Sequence, residues 1–190
     1  MQNDINLTPL LQAKNAPRQR VRGRYNSSEF YSILHGWTTP EQWLHPTEKS
    51  VKEILTMWAG TGIHNQIESL LDSRYCEQKV ELKYKDLTLV AKADYLPPEE
   101  SVVWEFKSSE KLMEKMKPWA AHQAKIYCSM FHKEKGIIYQ PLQDDNGIYL
   151  KELGSMTRDD AWAAAELEKL YAFHLKVEEL WIKEALTNSK

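Results

Sequence analysis

Between Lys79 and Leu96 the chain reads KVELKYKDLTLVAKADYL, with apolar residues on alternate positions: Val80, Leu82 and Tyr84, then Leu87, Leu89 and Ala91. A period of two lines up those side chains on one face of an extended chain, a pattern no helix satisfies. Lys85-Asp86 separates the two runs, so the segment is expected to fold as a β-hairpin. The connection PPEES (97–101) then leads to VVWEFKS, a third β-prone run. Whatever this chain becomes must be built around a sheet containing these three strands.

Helical spacing brackets them. Asn26, Ser27 and Ser28 offer caps for a short helix, SEFYSILHG, ending at Gly36, and Pro40 and Pro46 punctuate a turn. From about Thr47 to Ser73, Val51, Ile54, Leu55, Trp58, Ile63, Ile67 and Leu70 recur at three to four residues, with Gly60 and Gly62 expected to break or bend the helix. A helix from Ser109 to His132 follows the third strand, with Pro118 as a kink. GIIYQPL and GIYLKEL read as two further strands joined through QDDNG, whose Asn-Gly favours a tight turn. Thr157 is placed to cap a last long helix carrying Trp162, Leu167, Leu170, Phe173, Val177 and Trp181. This order predicts an α/β chain, with α+β as the alternative, built on a central mixed sheet flanked by helices.

The totals exclude several classes. A length of 190 residues suits one domain, and two cysteines without a CxxC spacing, Cys76 and Cys128, argue against a disulfide scaffold, a zinc ribbon or a four-cysteine cluster. No apolar run approaches the ~20 residues of a membrane span, and the first residues lack the pattern of a secretory signal, so a cytoplasmic or otherwise intracellular protein is expected. The net charge of −2 gives no sign of nucleic acid, but five of the eleven residues from Lys14 to Arg24 are basic and none is acidic. Residues 1–24 are therefore expected to form a basic, flexible leader, in which Arg18, Arg20, Arg22 and Arg24 are candidates for phosphate contacts.

Chemistry gathers around the third strand. Glu105 and Lys107 project from one face of VVWEFKS, Trp104 and Phe106 from the other. Asp94 ends the preceding strand, close enough through the short connection to converge on Glu105. Two converging carboxylates repel unless a positive charge lies between them, and a hard divalent cation such as Mg²⁺, with oxygen ligands and substrate phosphate, is the natural one. Lys107 is then placed to orient or deprotonate water or to offset charge on a phosphate. Gln123 and Tyr127, four apart on the following helix, and His64 and Glu68, four apart on the earlier one, can be aimed at the same point, and an imidazole ligand favours Mn²⁺ somewhat. Taken singly, each has a plainer reading: a solvated ion pair for Glu105 and Lys107, a satisfied helix residue for His64, a core aromatic for Tyr127. Trp37, Trp43 and Trp58 read as core rather than as base-stacking residues, and His122 projects away from Gln123.

The set Gly62-x-His64-x-x-x-Glu68, Asp94, Glu105-x-Lys107 and Gln123-x-x-x-Tyr127 resembles the PD-(D/E)XK nuclease superfamily, and more narrowly its RecB-like exonuclease branch, over residues 62–127. The resemblance implies a restriction-endonuclease-like core within a single nuclease domain at 25–190. In it Asp94, Glu105 and His64 bind Mg²⁺ or Mn²⁺ with the backbone carbonyl of Phe106, Glu68 is accessory, Lys107 positions water, and Gln123 and Tyr127 orient the lysine, the water or the strand. It also implies hydrolysis of phosphodiester bonds in single-stranded DNA or DNA ends during recombination or repair, with a helicase or recombination protein as a further partner. Relatives with an iron–sulfur cluster carry cysteines near both ends, and this chain has none there, so no cluster is expected. A catalytically idle DNA- or protein-binding member, or a nuclease subunit active only beside a helicase or recombinase, stands as the alternative.

Overall fold

The alternating run forms the spine of the sheet. In the computed structural model, which describes residues 6, 8–17, 19–109, 112–145 and 147–188, strands β2 (Cys76–Tyr84) and β3 (Leu87–Tyr95) pair antiparallel along their length. The turn at Lys85-Asp86 is where the sequence puts it, with Lys85 at positive φ. Strand β1 (Arg24–Asn26) joins β3 in parallel, and β4 (Val102–Phe106) joins it antiparallel. Strands β5 (Lys135–Asp144) and β6 (Gly147–Thr157) complete the sheet, β5 parallel to β4 and antiparallel to β6. Among the described residues the order is β1-β3-β4-β5-β6, with β2 on the other edge of β3. The tip of the last hairpin includes Asn146, outside the described residues.

The helices are α1 (Thr8–Lys14), which packs on α4, and α2 (Ser27–Leu34), α3 (Pro40–Leu44), α4 (Val51–Glu68), α5 (Pro118–Met130) and α6 (Asp160–Asn188), which flank the sheet. The larger core joins Tyr25, Phe30, Trp43, Leu89, Val103, Ile126, Leu170 and Val177, so it lies where α2, α3, α5 and α6 meet the sheet. A second cluster packs Ile67 of α4 on Tyr95 and Phe106. Val103 thus belongs to one core while Trp104 and Phe106 line the other, the alternation a strand buried on both faces requires.

Several elements differ from the sequence reading. Helix α4 runs unbroken through Gly60 and Gly62, held at its start by a capping box in which Ser50 and Glu53 satisfy each other's backbone N–H. A Cβ at Gly60 would meet Ser108 Oγ at 2.8 Å, so this glycine admits the segment after β4 instead of breaking the helix. The helix expected from Ser109 starts only at Pro118, because proline keeps Lys117 extended and fits the first helical position. Thr157 ends β6, and Asp159 caps α6 by accepting the N–H of Trp162 at 3.0 Å. The stretch expected to be irregular, residues 1–24, contains α1 and ends on the first residue of β1, and Pro40 opens α3 behind a Thr39–Gln42 capping box.

Candidate active site

The site forms where β3 and β4 fork. Only Tyr95 and Trp104 face each other as ladder partners; β1 occupies the same edge of β3 further back, at Thr88–Val90. A fork strands backbone groups that a sheet would normally pair, and buried groups of that kind need partners. Side chains supply them. Asp94 Oδ2 accepts the N–H of Phe106 at 2.5 Å, and the Tyr127 hydroxyl donates to the carbonyl of Lys92 at 2.9 Å. Beyond the fork β4 stays attached to β5, the N–H of Lys107 donating to Tyr139 O at 2.8 Å.

Helix α5 closes the fork. Gly136 on β5 lets it approach, since a Cβ there would sit 2.8 Å from the carbonyl of Ala124. Gln123 is thereby laid over Glu105, its amide donating to Glu105 Oε1 at 2.9 Å and to the Tyr127 hydroxyl at 2.7 Å, while its oxygen accepts from Lys107 Nζ at 2.9 Å. The ammonium also donates to Glu105 Oε1 at 2.5 Å. Buried Ser27 hydrogen-bonds the Tyr127 side chain, so α2 fixes the phenol from below. Burial, and then Glu105, push the Tyr127 hydroxyl well above its ordinary pKa, which keeps it a proton donor.

Helix α4 brings the other side. His64 Nδ1 lies 3.9 Å from Asp94 Oδ1, and the ring stands edge-on to Phe106. One ligand atom from each of His64, Glu68 and Asp94 lies within 4.8 Å of the others. Glu105 stands outside that trio: Lys107 and Gln123 take its Oε1, while its Oε2 is buried with no hydrogen-bond partner among the described residues, as is Glu68 Oε1. Glu105 is 5% exposed and Asp94 7%. Burial raises both carboxyls above the ordinary range; Asp94 raises Glu105 further, whereas the N–H of Phe106 and the Lys107 charge pull Asp94 back. Burial likewise raises Glu68, and pushes His64 below the ordinary imidazole value, so His64 is neutral at pH 7 and fit to ligate. Buried carboxylates with unpartnered oxygens beside a neutral imidazole are a donor set that suits a divalent cation with mixed oxygen and nitrogen ligands.

His64, Glu68, Asp94, Glu105, Phe106, Lys107, Gln123 and Tyr127 thus surround one fork. The described arginines of the N-terminal stretch are held in ion pairs elsewhere. Arg20 pairs with Glu29, Arg22 with Glu178 and Arg24 with Glu81, while Arg18 lies outside the described residues. Trp43 is buried in the core, Trp37 and Trp58 are exposed, and His122 turns to Glu166 of α6 at 3.2 Å. Sequence reasoning missed Glu77, at positive φ on β2, which hydrogen-bonds Glu68 and pairs with Lys92. An acid on an edge strand carries no signal that separates it from solvated neighbours.

The architecture has solved counterparts. It matches the alkaline exonuclease LHK-Exo from Laribacter hongkongensis with a TM-score of 0.59 at 15% identity, covering 96% of this chain and 100% of that one. The fold is restriction-endonuclease-like. LHK-Exo in complex with dAMP gives 0.62 at 15% identity over 88% of this chain and 95% of that one. A phage-related exonuclease from Haemophilus somnus gives 0.55 at 10% identity over 87% and 97%. No protein-family model matches the sequence, and neither does any curated protein. In this chain the fork between β3 and β4 is where the carboxylates, Lys107 and the helices α4 and α5 meet. No helix among the described residues is long and apolar enough to cross a membrane.

Proposed function

We propose that this chain is a metal-dependent deoxyribonuclease, acting as an exonuclease on single-stranded DNA or DNA ends. The observation that carries the reading is Glu105 Oε2, a buried carboxylate oxygen with no protein partner, next to Asp94 and bracketed by Lys107. Leaving such an oxygen unpaired costs ~1–3 kcal/mol or more, a cost that a cation bound between Glu105 and Asp94 would remove. Asp94, Glu105 and His64, with Glu68 and the Phe106 carbonyl, would hold Mg²⁺ or Mn²⁺. Such an ion, when bound, offsets phosphate charge and lowers the pKa of water. The exonuclease structures that share the fold, one of them solved with dAMP, support DNA as substrate.

The chain's own groups have separate tasks. Lys107 presents its ammonium to the attacking water and to the phosphate, and Gln123 fixes it by accepting one of its hydrogens while bridging to Glu105. Tyr127 and the Lys92 carbonyl anchor Gln123 in turn. Water attacks phosphorus in line with the 3′ oxygen; the P–O3′ bond breaks, leaving a 5′-phosphate and a 3′-hydroxyl. The test is cleavage of end-labelled single-stranded and duplex DNA in Mg²⁺, Mn²⁺ or EDTA, with Lys107→Ala beside the wild type. Metal-dependent loss of label in the wild type, reduced about 10²-fold or more in the variant, is expected. Intact substrates with wild-type protein in both metals would replace the nuclease with the idle binder.

A further inference from the structure

Beside Lys107, residues of 107–109 and 112–119 line a cavity of about 550 Å³ that the chemistry above does not use. Its lining includes Lys107, Leu112, Glu114, Lys115, Lys117 and Trp119. Trp119 opens α5 one turn before Gln123, on the same face of the helix. Its ring is 39% exposed, and the Lys107 ammonium lies 5.1 Å from the ring centroid. Lys115 and Lys117 are exposed and have no acidic partner among the described residues, whereas Arg20, Arg22 and Arg24 each do. Among the described residues, then, Lys115 and Lys117 are basic groups at this cavity without an acidic partner, whereas Arg20, Arg22 and Arg24 are committed to carboxylates elsewhere.

We infer that this cavity is the path of a single DNA strand, with a base stacked on Trp119 and flanking phosphates held by Lys115 and Lys117. The inference rests on the nuclease reading of the adjoining fork. A volume in the range of small-molecule sites, ~300–1,000 Å³, admits one nucleotide. Aromatic platforms beside a cationic groove are how single strands are bound without sequence preference, every base having a π-face. The ring is so near the Lys107 ammonium that a phosphate at Lys107 and a base on Trp119 belong to the same or neighbouring nucleotides. A base within a duplex is stacked on its neighbours on both sides, so the ring selects single strands and frayed ends.

The test is a binding cycle in EDTA, where no cleavage intervenes. Fluorescence anisotropy gives the affinity of labelled oligodeoxythymidylate, and of an abasic strand of equal length, for wild type, Trp119→Leu and Trp119→Phe. Trp119→Leu is expected to weaken oligodeoxythymidylate about 5- to 100-fold and the abasic strand hardly at all, with Trp119→Phe restoring most of the loss. Replacing Lys115 and Lys117 by glutamine should flatten the slope of log affinity against log salt by roughly 1.4. Equal losses on both strands would make the tryptophan effect structural and overturn the inference. So would unchanged affinity, and oligouridylate bound tenfold tighter through the same ring would overturn the choice of DNA for RNA. Failure of the wild type to cut DNA in Mg²⁺ or Mn²⁺ sinks the nuclease reading by a separate assay, because the cycle reads the cavity alone.

Discussion

Asp94 performs two tasks that a single substitution can separate. Its Oδ2 accepts the N–H of Phe106, a neutral task that an asparagine oxygen also performs, and its charge faces His64 and Glu105 at a cost in burial. Asp94→Asn is therefore expected to stabilise the metal-free protein at pH 8 by about 1–2 kcal/mol, while abolishing cleavage and the rise in melting temperature on adding Mn²⁺. Thermal melts with and without the ion check both parts; a destabilised variant would mean that the charge, and not the acceptor, holds Phe106. The pattern of such residues was legible in the sequence because side chains two apart on a strand and four apart on a helix must share a face. Which oxygen meets which partner was not, and neither was Glu77, whose approach to Glu68 depends on a positive φ that composition does not mark.

Helix α4 shows how element-scale reading succeeds and fails. Its start and its inward residues Ile54 and Ile67 follow from spacing, but two glycines in three residues suggested an interruption that tertiary packing overrides. Gly60 is required by the approach of Ser108; Gly62 is not, because a Cβ there meets nothing within 4 Å. Gly62→Ala is expected to raise stability by about 0.5–1 kcal/mol, read as a higher denaturant midpoint with an unchanged slope. No gain would show that α4 is bent or frayed at this point in solution. The shortened α5 teaches the converse: Pro118, a kink inside a helix by spacing alone, is the residue that begins one, and the strands of the last hairpin run longer than their apolar residues because pairing carries on into polar ones. The hairpin of β2 and β3 was legible, since the alternating apolar residues on either side of Lys85-Asp86 leave little choice of register.

For the whole molecule, the raised carboxyls tie stability to pH. Asp94 and Glu105 hold their protons to higher pH in the folded chain than in the unfolded one, where carboxyls titrate near ~4. The folded state then binds more protons across that window, so their contribution is fully present below about pH 4 and is lost as pH rises toward neutrality. In EDTA the melting temperature of the wild type, compared with that of Asp94→Asn, is expected to fall progressively from pH 5 to pH 8, and saturating Mn²⁺ should cancel the difference in trend. A constant gap across that range would show that the folded carboxyls titrate normally. The fork between β3 and β4 has a consequence for ancestry as well. The Tyr127 hydroxyl and one acceptor oxygen of Asp94 serve as stand-ins for a missing length of strand, so a descendant that had given up cleavage would still be under pressure to keep the tyrosine and either an aspartate or an asparagine at position 94, while Glu68, Lys107 and Trp119 drifted. In such a lineage the tyrosine and the acceptor at position 94 would testify to architecture, and only a charged aspartate there, with Lys107 and its neighbours, to a living enzyme.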